Sequence, residues 1–72
     1  MENVIYFKTK AGLNKQKMDL LEDGFQVNEG VVNVGGGETN GAHVYDTDGN
    51  RKLTLVLDEV AYQNAPFIQR GE

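Results

Sequence analysis

The sequence predicts a small α+β domain dominated by strands: an antiparallel sheet of four to five short strands with one short helix near residues 14–23. Three observations support this prediction. Residues 42–57 alternate apolar and polar side chains on either side of Asp48-Gly49, which is a strong hairpin signal. Other short runs are rich in the β-branched and aromatic residues typical of strands. The length of 72 residues allows one domain, in which the tail from about residue 66 is a candidate mobile segment.

The first strand is predicted at residues 4–8, where β-branched and aromatic side chains follow one another. Apolar residues at consecutive positions indicate a strand that is buried on both faces, or one that contacts a second copy of the chain.

The helix is predicted at residues 13–24, with Asn14 as its N-cap and Gly24 as the residue that ends it. Lysines near its start and acids near its end oppose the helix dipole, so the isolated helix is expected to be weak. The alternative is a strand that turns at Asp23-Gly24. The apolar residues that share one helical face are Met18, Leu21 and Phe25.

The middle of the chain contains two segments rich in turn-forming residues. A turn is predicted at Asn28-Glu29-Gly30, followed by a short strand at residues 31–34. Residues 35–41 include four glycines and are expected to form a flexible connection.

The hairpin is predicted to turn through a tight type I′ turn at Asp48-Gly49, because that turn needs positive φ at both central residues. Its second strand should place Leu53, Leu55 and Leu57 on the buried side. The register that follows pairs Asp46 with Arg51, Tyr45 with Lys52, Val44 with Leu53 and His43 with Thr54. The expected core comprises Val4, Tyr6, Met18, Leu21, Phe25, Val32, Val34, Val44, Leu53, Leu55 and Leu57.

Composition limits the possible functions. The net charge of −4 argues against a nucleic-acid binder, and no segment is apolar enough to cross a bilayer. The chain has no cysteine, which excludes disulfides and thiolate metal sites and fits a reducing, cytoplasmic setting. The charge is uneven: residues 1–18 carry four lysines and one acid, whereas residues 19–72 carry ten acids and three basic residues.

The residues predict no catalytic site and no cofactor. Serine and cysteine are both absent, and one histidine, His43, is the only imidazole base. The acidic turn around Asp48 lacks the ligand pattern of a calcium loop, since positions 1 and 12 of such a loop fall on Val44 and Leu55. The chain is therefore expected to be neither an enzyme nor a metalloprotein.

Two sets of candidate binding residues remain. Backbone amides of the glycine loop could form an anion nest for a small ligand; this set comprises Gly35, Gly36, Gly37, His43 and Arg51. Acidic and apolar side chains could contact a protein partner; this set comprises Glu38, Asp46, Asp58, Glu59, Phe67 and Ile68.

Three classes of function follow. The first is a non-enzymatic inhibitor of the kind encoded by phages or mobile elements, which docks on a macromolecule through an acidic surface or an edge strand. The second is a structural subunit of a larger particle. The third is a binder of a small anionic, nucleotide-like ligand at a dimer groove. The small core and the exposed strand edges favour a homo-oligomer, with a dimer as the first expectation.

Overall fold

The computed structural model describes residues 3–34, 37–64 and 69–71. It confirms the α+β class: a five-stranded sheet with two short helices. The elements are β1 Asn3–Phe7, α1 Lys10–Glu22, β2 Gln26–Asn33, β3 Glu38–Tyr45, β4 Arg51–Leu57, α2 Glu59–Asn64 and β5 Gln69–Arg70. The strands lie in the order β2-β3-β4-β1-β5. Within the described ranges, neither helix has the length and hydrophobicity needed to cross a membrane.

The sheet is mixed, so the prediction of an antiparallel sheet is wrong for one of its halves. β2, β3 and β4 are antiparallel neighbours, but β1 pairs in parallel with both β4 and β5. Parallel strands need crossover connections, and those connections usually place helices over the sheet. Phe7 of β1 is fully buried in the core on the α1 face. Tyr6, which points to the opposite face, lines a cleft with Ala61 of α2.

The N-cap of α1 lies five residues earlier than the sequence pattern predicts. Its N-cap is Thr9, which has extended backbone geometry and whose side-chain oxygen accepts a hydrogen bond from the backbone N–H of Gly12 at 3.2 Å. Asn14 lies inside the helix. Threonine satisfies an orphan N–H as asparagine would, so the two candidate caps are equivalent in local chemistry. The choice between the two caps depends on β1, because this strand ends at Phe7, two residues before Thr9.

The end of α1 is where the sequence predicts it. Gly24 has a φ of +96°, which an L side chain rarely adopts. Its N–H donates to the carbonyl of Leu21, and the N–H of Phe25 donates to the carbonyl of Leu20, both at 3.1 Å. These two bonds form a Schellman motif, in which Phe25 and Leu20 also supply apolar contact with the core.

The buried face of α1 differs from the predicted one. Leu13 and Leu20 enter the core, whereas Met18 and Leu21 are 57% and 46% exposed, so their assignment to the core is wrong. Lys17 lies between the two buried leucines along the helix and extends its ammonium to Glu29 on β2. The Lys17 side chain is 22% exposed, so a lysine occupies part of the inward side of the helix, and a count of apolar residues alone does not reveal this.

Strand β4 lies between two neighbours and is buried on both faces. Leu55 is fully buried on the α1 side, and Leu53 and Leu57 pack against the same core, as predicted. On the opposite face Thr54 and Val56 are also buried. The predicted core members Val32 and Val44 are buried, and Val4, Tyr6, Phe25 and Val34 are half-buried. Core residues that the pattern missed are Phe7, Leu13, Leu20, Ala42 and Val56.

The turn predicted at Asn28-Glu29-Gly30 is wrong, because these residues lie inside β2. Gly30 pairs directly with Gly41 of β3, which the sequence assigns to a loop. A Cβ atom at Gly41 would lie 2.3 Å from the carbonyl oxygen of Leu55 and 2.8 Å from Cγ2 of Val32. Glycine at this position therefore permits close approach of the strands rather than a turn.

The hairpin is present, but its turn differs from the predicted type I′. The N–H of Gly49 donates to the carbonyl of Asp46 at 3.1 Å, and only Gly49 within the turn has positive φ. This is the pattern of a type I turn followed by a glycine bulge. The register shifts there, so Tyr45 pairs with Arg51 rather than Lys52. The predicted pairs His43 with Thr54 and Val44 with Leu53 are confirmed.

Candidate strand-pairing surface

The outer side of β2, hereafter the β2 edge, ends the sheet. β2 pairs with β3 over all eight of its residues, Gln26–Asn33. In the described part of the chain, no strand pairs with its other side. Alternate residues of an edge strand direct their N–H and C=O groups away from the sheet. The β2 edge therefore offers a row of donors and acceptors to a further strand, whereas the opposite edge, β5, has two residues.

The β2 edge lacks the features that commonly prevent edge pairing. Its sequence contains no lysine, arginine or proline, and its one charged residue is Glu29. That carboxylate faces α1, where it accepts a hydrogen bond from the ammonium of Lys17. This hydrogen bond, the charge of Lys17 and the more distant charge of Lys10 hold the pKa of Glu29 below its ordinary value. The carboxylate is thus paired with a lysine of its own chain.

Exposed apolar side chains accompany the β2 edge on the α1 face. Val31 is 64% exposed and lies on the same face as Glu29, two residues away. Leu21 is four residues beyond Lys17 on α1 and therefore lies on the flank of the helix that faces β2. Met18 precedes Leu21 by three residues and is therefore its neighbour on the helix surface. We name Met18, Leu21 and Val31 the edge flank.

A cleft of about 230 Å³, lined by polar side chains and by Leu13 and Leu57, lies between the first turns of α1 and strands β2, β3 and β4. Side chains of both charges and two amides line it: Lys10, Asn14, Glu29 and Asn40. A residue projecting toward α1 from a strand added to β2 would find hydrogen-bonding groups at the cleft and apolar surface at the edge flank.

The residues predicted to bind a small anion are not gathered in one place. Gly37 precedes β3, whereas His43 lies further along that strand, about 16 Å from Glu38 at the usual rise of a strand. Nδ1 of His43 is 2.9 Å from Oγ1 of Thr54, and its ring packs edge-on against Tyr45. Arg51 lies at the hairpin end of the sheet. Gly35 and Gly36 lie outside the described residues.

Part of the predicted acidic surface is gathered at the other end of the sheet. Glu38 and Asp58 line a second cleft of about 340 Å³, and Glu59 follows directly in sequence. Asp58 also has a local role, because its Oδ1 accepts from the N–H of Ala61 at 3.0 Å in the first turn of α2. Phe67 and Ile68, predicted to contact a partner, lie outside the described residues.

Asp46, the remaining acid of that set, organises the hairpin turn. Its Oδ1 accepts from the backbone N–H groups of Asp48 and Asn50, both at 2.9 Å. Its other oxygen is 3.5 Å from Nζ of Lys52. These groups, the Asn50 N–H first, lower the pKa of Asp46 against a smaller opposing effect of desolvation. The residue is engaged in its own turn.

The chemistry of the described side chains and the comparisons with known proteins give no enzyme class. No three residues of the histidine, cysteine or acidic type come together as a metal site within the described ranges. Neither protein-family models nor curated proteins nor solved structures gave a match to this chain. In the described part of the chain, the β2 edge is a row of backbone donors and acceptors that no neighbouring strand pairs. Turn-forming residues at its centre conceal it in the sequence, although the valines on either side are a strand signal.

Proposed function

We propose that this chain is a small, non-enzymatic binding protein that docks an extended segment of a macromolecular partner on the β2 edge and thereby blocks or sequesters that partner. The observation that supports this proposal is an eight-residue edge strand without lysine, arginine or proline. In strand addition, main-chain hydrogen bonds supply affinity, and alternate side chains supply specificity. We place this activity in the cytoplasm, which a cysteine-free chain suits.

The surroundings of the β2 edge indicate which segments it would prefer. Side chains pointing to the α1 face would meet Val31 and Leu21, which favours apolar residues at alternate positions. On the opposite face they would lie near the exposed amides of Gln26 and Asn28. The net charge of −4 favours encounter with a basic segment, because complementary charge raises association rates. A segment with alternating apolar and basic or polar residues combines these preferences.

The test is selection from a display library of random ten-residue peptides, followed by amide chemical-shift mapping of the isotope-labelled protein. The largest shifts are expected within β2. Val31→Lys should weaken binding of the selected peptide by at least about tenfold, because lysine on an edge strand opposes pairing. Val60→Lys is the matched control, since Val60 is 68% exposed and lies on α2. Shifts centred on α2 or the hairpin turn, or equal effects of the two substitutions, would refute the proposal.

A further inference from the structure

We infer that the β2 edge also binds a second copy of the chain, with the two β2 strands antiparallel about a two-fold axis at Gly30. This inference rests on the proposed function in one respect, the capacity of the β2 edge to accept a strand. Three independent features indicate that a second copy of the chain occupies the β2 edge: the register that β2 allows with itself, the charge order of α1 and the position of the edge flank.

The register follows from symmetry. A two-fold axis perpendicular to the sheet keeps the α1 face of both copies on the same side, so each residue must oppose one of its own face. Two such registers pair seven of the eight β2 residues. One places Glu29 opposite Glu29 of the second copy, and like charges directly opposite are unfavourable. The other places Gly30 opposite Gly30 and Glu29 opposite Val31, and we adopt it.

The charges of α1 are self-complementary in this arrangement. Basic residues precede acidic ones along the helix: Lys10, Lys15 and Lys17 come first, and Asp19, Glu22 and the C-cap residue Asp23 follow. Within one chain this order opposes the helix dipole. The two-fold axis makes the two α1 helices antiparallel, so the basic half of each faces toward the acidic half of the other. A charge order that is unfavourable for the single helix becomes favourable between copies.

The exposed apolar residues are distributed as this dimer requires. Among the described residues, four large apolar side chains are exposed, and three of them form the edge flank of Met18, Leu21 and Val31. Val31 belongs to β2 itself, and Met18 and Leu21 follow Lys17, the residue through which α1 reaches β2. The fourth, Val60, is on α2. Pairing of β2 with its copy would therefore shield most of the exposed apolar surface of the described chain.

Self-pairing has a consequence for the partner. The outward N–H and C=O groups that would bind a partner segment are the same groups that would bind the second copy. The dimer must therefore open before a partner segment can be added, and a partner would shift the population toward monomers.

Single cysteines test the register, because the natural chain contains none. Gly30→Cys should form a disulfide-linked dimer under mild oxidation, since directly opposed residues lie within disulfide range. Its Cβ would meet nothing within 4 Å in the single chain. Asn28→Cys is the matched control on the same strand and face: the two thiols would be about 13 Å apart along the strands. Equal crosslinking of the two variants, or none by Gly30→Cys, would overturn the inference.

Light scattering on the unmodified chain provides the second readout. At about 100 µM the mass should be about twice 8.0 kDa. Val31→Glu should return it to one chain, because the new carboxylate would lie opposite Glu29 of the second copy, whereas Val60→Glu should not. A monomeric unmodified chain would overturn the inference. The proposed function would still stand in that case if library peptides shift the amides of β2. The proposed function would fail on its own if the dimer forms and the library peptides shift the amides of residues outside β2.

Discussion

At the scale of single residues, the same amino acid has different roles at facing positions. Gly30 and Gly41 oppose each other across β2 and β3. Gly41 is enclosed by Leu55 and Val32, whereas no atom lies within 4 Å of the place where a Gly30 Cβ would stand. The sequence predicts turn or loop at both, because glycine propensity does not report what lies beside the backbone.

This contrast yields a paired prediction. Gly41→Ala should destabilise the fold by about 1–3 kcal/mol or more, because the obstructing atom at 2.3 Å is a backbone oxygen that cannot move alone. Gly30→Ala should leave stability unchanged or raise it by up to about 1 kcal/mol, since alanine loses less entropy in a strand. Urea unfolding of both variants measures the difference. Equal midpoints would show that β3 is not packed this closely.

The Asp46 carboxylate gives a pH-dependent prediction. Its lowered pKa means that the native state binds the proton less readily than the unfolded chain. The charge therefore stabilises the fold above the ordinary aspartate pKa near 3.9, and this contribution is lost as pH falls through the lowered pKa. Asp46→Asn should lower the melting temperature at pH 7 and leave it nearly unchanged at about pH 2. Asp48→Asn, in the same turn but exposed, should have a smaller effect at pH 7.

At the scale of elements, the local sequence predicts the end of α1 better than its beginning. The stop at Gly24 is correct because its positive φ and its two short-range hydrogen bonds involve only the six residues from Leu20 to Phe25. The predicted start of α1 is wrong, because Asn14 offers the same capping chemistry as Thr9, the residue that caps the helix. The hairpin is predictable for the same reason as the stop, although its bulge moves Arg51 by one position. Where two residues offer equivalent chemistry, the local sequence therefore does not decide which of them begins the element.

The cap of α1 can be tested directly. Thr9→Ala should cost about 1 kcal/mol of folding free energy, because the backbone N–H of Gly12 loses its acceptor. Thr9→Ser should retain most of that stability. Asn14→Ala should be neutral or slightly stabilising, since alanine is the better helix former inside a helix. A larger loss for Asn14→Ala than for Thr9→Ala, measured by chemical denaturation, would place the helix start where the sequence pattern does.

At the scale of the whole molecule, the arrangement of β1 and the open β2 edge are the features that the sequence does not reveal. Pairing of β1 with β4 joins Asn3 to Leu53, and no local pattern specifies a partner fifty residues away. The edge position of β2 is likewise a property of the sheet order, because a strand becomes an edge only when no strand pairs with its other side. Charge and composition predict that the chain has no catalytic site, but they do not locate this surface.

The parallel insertion of β1 makes β4 the centre of the molecule, and that position gives the last prediction. Leu55 is fully buried, and β4 hydrogen-bonds to β3 on one side and β1 on the other. Leu55→Ala should cost about 2–5 kcal/mol, a large share of the roughly 4–11 kcal/mol expected for a domain of this length. Val60→Ala, at an exposed helical site, should change stability by less than about 0.5 kcal/mol. Because β4 connects the hairpin half to the β1 half, the Leu55→Ala variant should lose strand signal and tyrosine environment in one transition. If circular dichroism and tyrosine fluorescence instead gave separate transitions, the hairpin half and the β1 half would each be stable independently of β4.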